Sequence, residues 1–402
     1  MADNASLGAA KTAKNDEFYT QYSDIEAEMN AYVEYDPDVF RGKTILLPCD
    51  DPEWSNFTKY FAANFSRFGL KKLISTSYAK SWGNTQLSLF EEESPLYDPE
   101  KHDTHGKLFT VTHDKDGSGN VDTDDIEFNG YLEGDGDFRS PEVCKLRDEA
   151  DIIITNPPFS LFREFLAWII DSGKRFIIIG SKNAITYREV FPLIKNNKMW
   201  LGPGFAGGNA YFRIAPEEAR NFANGVYDEV TGLVKFRNVG WFTNIDHGLR
   251  HEKLQLDTMA HNLKYNKTLK NKLEKEYFTD VYPHFDNYDA IEVPFTECIP
   301  SDYEDVMGVP ITFMDKYNPD QFEIIDITKA GAGDPKNKTK EYPKQIQVDK
   351  NGARSSVTKL NDGGDIVVKE IPKNKTYYIV DGITYIQTYP RILIRKKGNK
   401  DL

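Results

Sequence analysis

The 402 residues predict an α/β fold built on a doubly wound parallel sheet. ADIIITN (150–156) and KRFIIIG (174–180) are nearly continuous β-branched runs, the composition of strands covered on both faces. LFREFLAWII (161–170), between them, spaces its apolar residues at the helical period. KTILLP (43–48) and KKLIST (71–76) repeat the pattern around the helical stretch WSNFTKYFAANF. Strands alternating with helices pair in parallel through crossovers, and such sheets bind ligands at the strands' carboxyl ends. TNPPFS (155–160) and PCDDP (48–52) stand at two of those ends.

The other elements follow in chain order. Residues 1–14 are small and polar and are expected to be disordered. Ser23 and Glu26 fit a capping box, and Ile25, Met29 and Tyr32 continue at helical spacing, which predicts a helix over 24–34. Residues 80–135 break the strand–helix rhythm and read as an insertion. Beyond 250 the character changes: 250–278 is charged and helical, 309–328 holds short strands, 331–376 is rich in Lys, Asn and Gly, and the end returns to strands. The expected division is an α/β domain over 15–250 and an α+β domain over 251–402.

With 39% hydrophobic residues the chain can bury a sizeable core. No apolar stretch approaches 18 residues and the N-terminus has no apolar signal core, so no membrane association is expected. Cys49, Cys144 and Cys298 are scattered without CxxC spacing, which argues against a disulfide framework and for a reducing cytoplasm. The net charge of −13 is unevenly placed: residues 91–137 carry 15 Asp/Glu against 3 Lys, and residues 331–402 carry 15 Lys/Arg against 8 Asp/Glu. The average thus hides a basic C-terminal part able to meet nucleic acid.

The corner after ADIIITN carries the most chemistry. The nitrogen of an exocyclic amine is a poor nucleophile because its lone pair is delocalised. Two acceptors aimed at its N–H bonds hold it and let it pyramidalise. The Asn156 side-chain oxygen and the Pro157 carbonyl are suited to this, because Pro157 and Pro158 fix the backbone around them. Phe159 offers a face on which a ring can stack. The same residues also read as an ordinary Asn-Pro turn with a core Phe.

NPPF at a strand end resembles motif IV of the S-adenosylmethionine-dependent amino-methyltransferases. The wider text resembles the EcoRI-type adenine-specific DNA methyltransferase family. The resemblance runs through KNDEFYTQYSDIEAEM (14–29), CDDPEWSNFTKYF (49–61), LKKLIST (70–76), GDFRSPE (136–142), TNPPFSLFREF (155–165), GSKNAITYREVFPLIK (180–195) and GWFTN (240–244), and more faintly beyond 308. It implies a Rossmann-like methyltransferase sheet with the gamma order of motifs. Phe18, Tyr19 and Thr20 then stand at motif X, Pro48, Cys49, Asp50 and Asp51 at motif I, and Asp137 and Phe138 at motif III, all on the cofactor. Asn156, Pro157, Pro158 and Phe159 form the catalytic corner. Two departures stand out: PCDDPEWS lacks the glycines usual in motif I, and KKLISTSYAK ends its strand without an acid for the cofactor's ribose.

Weaker signals remain. DKDGSGNVDTDD (114–125) fits a calcium loop through Asp114, Asp116, Ser118, Asp122 and Asp125, but the last position lacks Glu and the alternative is an acidic hairpin tip. No metal is expected in the chemistry. His102, His105 and His113 have no Cys partners at zinc spacing. The Lys-rich stretches 336–350 and 391–400 suit either phosphate contacts or a solvated face.

The resemblance implies in-line transfer of a methyl group from S-adenosylmethionine to N6 of an adenine flipped out of double-stranded DNA. Residues 251–402 would recognise the target sequence, and a restriction endonuclease acting on the same site is a possible counterpart. No obligate protein partner is expected. The setting would be the cytoplasm of a bacterial or phage-infected cell. The alternatives are cytosine N4, RNA or protein glutamine as acceptor, and a non-catalytic nucleic-acid-binding relative.

Overall fold

The computed structural model of the protein describes residues 18–79, 94–205, 208–214 and 226–398. The N-terminus expected to be disordered and residues 80–93 of the insertion lie outside the described residues. The chain divides into two compact units, Met1–Lys182 with Met199–Gly248, and Asn183–Lys198 with Leu249–Leu402.

In the first unit the strands are β1 (Tyr19–Thr20), β2 (Thr44–Leu47), β3 (Lys72–Thr76), β4 (Lys107–Val111), β5 (Glu127–Tyr131) and β6 (Ile152–Thr155). They continue with β7 (Arg175–Ser181), β8 (Trp200–Leu201), β9 (Asn209–Arg213), β10 (Tyr227–Asp228), β11 (Leu233–Arg237) and β12 (Val239–Thr243). Its longer helices are α1 (Tyr22–Tyr35), α2 (Asn56–Ala63), α3 (Pro141–Glu149) and α4 (Phe162–Ser172).

Eight strands make one mixed sheet in the order β5-β4-β3-β2-β6-β7-β12-β8. Only its centre is parallel, across β3-β2-β6-β7. β4 and β5 extend one side and β12 and β8 the other, all antiparallel. The expected parallel sheet is therefore the core of a mixed one. Residues read as an insertion supply the β4–β5 edge, because antiparallel neighbours need no helical crossover. Every residue of β2 and β6 is buried although successive side chains point to opposite faces, so both faces are covered. Gly180 in β7 is required by packing: a Cβ there would lie 2.3 Å from the Phe162 ring of α4.

The capping box expected at Ser23 does not form. β1 pairs with β9 up to Thr20, so α1 starts at once, with Gln21 as its N-cap and Ser23 inside the first turn. β1 belongs to a second, antiparallel sheet, β1-β9-β11-β10, none of whose strands was expected.

The second unit holds two further sheets. Strands Ile291–Glu292, Met307–Pro310, Arg391–Lys396 and Phe322–Ile327 form the first. The other has five antiparallel strands between Gln345 and Gln387, closed over Tyr342, Leu360, Tyr378, Val380 and Tyr385. The charged stretch after 250 is helical only in short pieces, Met259–Tyr265 and Lys267–Lys272, followed by one wide turn. Buried Arg391 clasps buried Glu292 through Nε and Nη2 at 2.7–3.1 Å. Among the described residues no helix is long and apolar enough to cross a membrane.

Candidate active site

β2 and β6 are parallel neighbours, so the loops that leave them emerge side by side. Those loops carry PCDD and NPPF, and an open cleft lies between them. Three segments wall it: Phe18–Thr20, then Cys49, Asp50, Ser55 and Phe57 around the start of α2, then Asn156 and Pro158.

The first segment is held from both ends. Tyr19 and Thr20 pair with Arg213 and Phe212 of β9, and Asn56 Nδ2 donates to the Thr20 carbonyl at 2.7 Å. Asn156 Nδ2 donates to the Phe18 carbonyl at 2.6 Å. That bond fixes the amide with its nitrogen on the backbone, and Asn156 Oδ1 is left buried without a partner. Thr20 Oγ1, on the same cleft, is also buried and unpaired. A buried polar atom without a partner costs about 1–3 kcal/mol. Two such atoms stand around this one cleft.

The glycine-free loop solves its backbone problem through Cys49, which takes φ +65 where glycine would be expected. Asp50 follows with 6% exposure; its carboxyl accepts Ser55 Oγ at 2.7 Å and lies within hydrogen-bond distance of Thr155 Oγ1, at 2.6 Å. Burial pushes that carboxyl up to about 7, against the opposing pull of the two hydroxyls. Asp51 does not line the cleft; it faces buried Lys107 at 3.7 Å. Pro48 is buried and its carbonyl accepts Thr155 Oγ1 at 2.8 Å.

In the Asn-Pro-Pro-Phe corner Pro157 is buried and Phe159 half-buried. The Phe159 ring packs with Phe18 (centroids 5.6 Å), Phe212 (6.3 Å) and Phe236 (6.5 Å). One flank of the ring is thus backed by an aromatic cluster that also anchors the Phe18–Thr20 wall.

Asp137 and Phe138 are not among the residues lining the cleft. Arg139 holds the Asp137 carboxylate at 2.6 and 2.9 Å, and Phe138 packs on Phe165 and Trp168 of α4 at 5.0 and 5.6 Å. Their segment nonetheless crosses the end of β3: Ala79 N–H donates to the Asp135 carbonyl at 2.8 Å, and a Cβ on Gly136 would lie 2.1 Å from the Ser77 carbonyl. That crossing brings half-buried Asp135 beside the strand whose own sequence ends without an acid.

In the acidic loop, Asp114, Asp116 and Asp125 bring carboxylate oxygens within 4.8 Å of one another. Backbone N–H groups already fill much of that set. Asp114 accepts from Gly117, Ser118 and Gly119, and Asp125 from Lys115, Asp116 and Asp122. Ser118 Oγ turns to the Asn120 carbonyl. In the Lys-rich C-terminal part, Lys329, Lys340 and Lys396 are paired with Asp362, Asp286 and Glu304, while Lys344, Lys350, Lys369 and Lys373 are exposed.

Sequence reasoning passed over Ser55, Asn56, Phe57 and Thr155. Ser55 had a legible signal: it is a serine immediately before a helix, and its Oγ accepts the Phe57 N–H at 3.1 Å as an N-cap. The others become visible only when β6 and α2 are brought together.

A cleft across the carboxyl ends of adjacent parallel strands, walled on one side by a rigid Asn-Pro-Pro corner, stands where α/β folds bind their ligands. The sequence model of the adenine-specific methyltransferase EcoRI family matches residues 6–397, and the chain belongs to that family. It is 42% identical to the type II methyltransferase M.EcoRI of Escherichia coli over 82% of this chain and 90% of that protein. It is 32% identical to M.MpnI of Mycoplasma pneumoniae and 34% identical to M.MgeORF184P of Mycoplasma genitalium, each over 79% of this chain and 84% of the relative. No solved structure matches it.

Proposed function

We propose that this chain is a site-specific DNA methyltransferase that modifies N6 of adenine with S-adenosylmethionine as methyl donor. The observation that carries the reading is the Asn156 amide, turned by the Phe18 carbonyl so that Oδ1 is buried and unpaired at the cleft. An adenine N6 has two N–H bonds; Asn156 Oδ1 accepts one and the Pro157 carbonyl the other. Both acceptors belong to a rigid corner, so little reorganisation is needed as the amine becomes pyramidal and charge develops. Phe159, backed by Phe18, Phe212 and Phe236, steadies the purine, which must leave the duplex to reach the corner.

The donor set of the cleft suits S-adenosylmethionine, which supplies an electrophilic methyl group when bound. Thr20 Oγ1 offers an unpaired hydroxyl to its polar end, and Phe18, Tyr19, Cys49, Asp50 and Phe57 enclose the rest. Asp51 supports the loop through Lys107. Asp137 and Phe138 shape the neighbouring segment, with Asp135 as the acid beside β3. In this reading transfer is direct and in line, from the donor to the amine, without a covalent enzyme intermediate.

In this reading the eight-stranded sheet is a Rossmann-like methyltransferase core. Residues 15–250 are catalytic, and 251–402 form the α+β region that reads double-stranded DNA, with its exposed lysines on phosphates. The protein works in the cytoplasm of a bacterial or phage-infected cell, where a restriction endonuclease with the same site is its natural counterpart. The test offers labelled S-adenosylmethionine with unmethylated DNA, RNA and protein in separate reactions, followed by nucleoside analysis. N6-methyladenine from DNA is expected; label in N4-methylcytosine, RNA or glutamine overturns the proposal.

A further inference from the structure

Thr155, the residue before Asn156, is fully buried, and its Oγ1 lies 2.6 Å from Asp50 Oδ2 and 2.8 Å from the Pro48 carbonyl. Asp50 is gripped on every other side. Ser55 Oγ donates to its Oδ1 at 2.7 Å, its N–H donates to the Thr76 carbonyl at 2.6 Å, and its own carbonyl accepts Thr58 Oγ1 at 3.0 Å and Ser75 Oγ. The ends of β2, β3 and β6 therefore meet in one buried network of hydroxyls around a single acid.

A hydroxyl has one proton, so Thr155 cannot donate to both of its neighbours. With Asp50 protonated, donation runs from Asp50 to Thr155 and on to the Pro48 carbonyl, and both contacts are satisfied. Burial, which pushes the Asp50 carboxyl up to about 7, favours this arrangement. The loop needs such a restraint. It has no glycine, and Cys49 sits in a left-handed conformation that an L-residue does not hold by its own preference.

We propose that Thr155 is a positioning residue that locks the cofactor loop to the catalytic corner, so that binding in the cleft and the aim of Asn156 are set together. The proposal rests on the methyltransferase reading of the cleft. Thr155→Val keeps the shape and removes the hydroxyl; Thr155→Ser keeps the hydroxyl. Each is made in the full chain. Affinity for S-adenosylhomocysteine is measured by calorimetry, and single-turnover methyl transfer to unmethylated DNA is measured at saturating donor. The valine variant should lose about tenfold or more in both affinity and saturated rate, and the serine variant should stay within about threefold of wild type in both.

A valine variant that only melts earlier, with affinity and saturated rate within threefold of wild type, overturns the proposal. So does a serine variant that loses as much as the valine. Should Thr155→Val not fold, Ser55→Ala releases the other Asp50 oxygen and is expected to lower both quantities together; no change in either overturns the lock. Asn156→Ala is run alongside. If it keeps wild-type rate, the methyltransferase assignment of the corner itself fails, whereas an impaired Asn156→Ala beside an unaffected Thr155→Val removes only the lock.

Discussion

Glu28→Gln should make the protein more stable at high pH, by an amount that the structure sets. Glu28 lies in α1 with no exposure; Oε1 accepts the Tyr32 hydroxyl at 2.8 Å and Oε2 the Gly204 N–H at 3.0 Å. Gly202 leaves the room, since a Cβ there would fall 1.9 Å from Glu28 Oε1. Burial raises the carboxyl from 4.5 to about 8, although both hydrogen bonds pull it down. A carboxyl raised on folding stabilises the fold fully below pH 4.5 and loses that contribution as pH climbs towards 8. At about 1.4 kcal/mol per tenfold in proton affinity, the ceiling is about 5 kcal/mol. Local relaxation lowers it, and about 2–4 kcal/mol is expected at pH 9. Glutamine copies the protonated acid: its oxygen accepts Gly204 N–H and its amide donates to the Tyr32 oxygen. The assay is thermal unfolding of both proteins at pH 5 and pH 9. The two should melt together at pH 5, and the variant should melt about 2–8 °C higher at pH 9. A difference that does not change with pH, or a variant less stable at pH 9, refutes the reasoning.

Cys49→Gly should fold as well as wild type or gain up to about 1 kcal/mol, since φ +65 suits glycine, while Cys49→Val should lose about 1–2 kcal/mol; denaturant titration reads both. Phe159→Ala should slow single-turnover methylation about 10- to 100-fold by removing the base's stacking face, with Phe159→Tyr close to wild type. Chelation with EDTA should leave the melting temperature unchanged, because backbone N–H groups already bond the Asp114 and Asp125 carboxylates; a drop of several degrees restored by calcium contradicts this.

The parts legible in the sequence were those written by composition. β-branched runs marked β2, β6 and β7 because strands covered on both faces need apolar residues at every position. The Asn156 corner was legible because two prolines and a preceding strand restrict the backbone on their own. Other features depend on partners distant in the chain. The orientation of the Asn156 amide comes from Phe18, 138 positions earlier, and the Phe18–Thr20 segment is seated on β9 through a pairing only two residues long. Alternation in NAYFR and LVKFR was a signal for β9 and β11 that went unused. Glu28 read as an ordinary polar position of an amphipathic helix, since nothing local reveals that Gly202 leaves a hole for its carboxyl. Cys49 hid its conformation, because a cysteine in sequence gives no sign of a positive φ.

The most direct test of the account is methyl transfer by Asn156→Ala at saturating donor and DNA. Losing one preorganised acceptor should lower the single-turnover rate by about 10²–10³-fold, about 3–4 kcal/mol in the barrier, while donor affinity falls far less. Asn156→Ala methylating adenine at the wild-type rate would contradict the claim that this amide oxygen holds the amine.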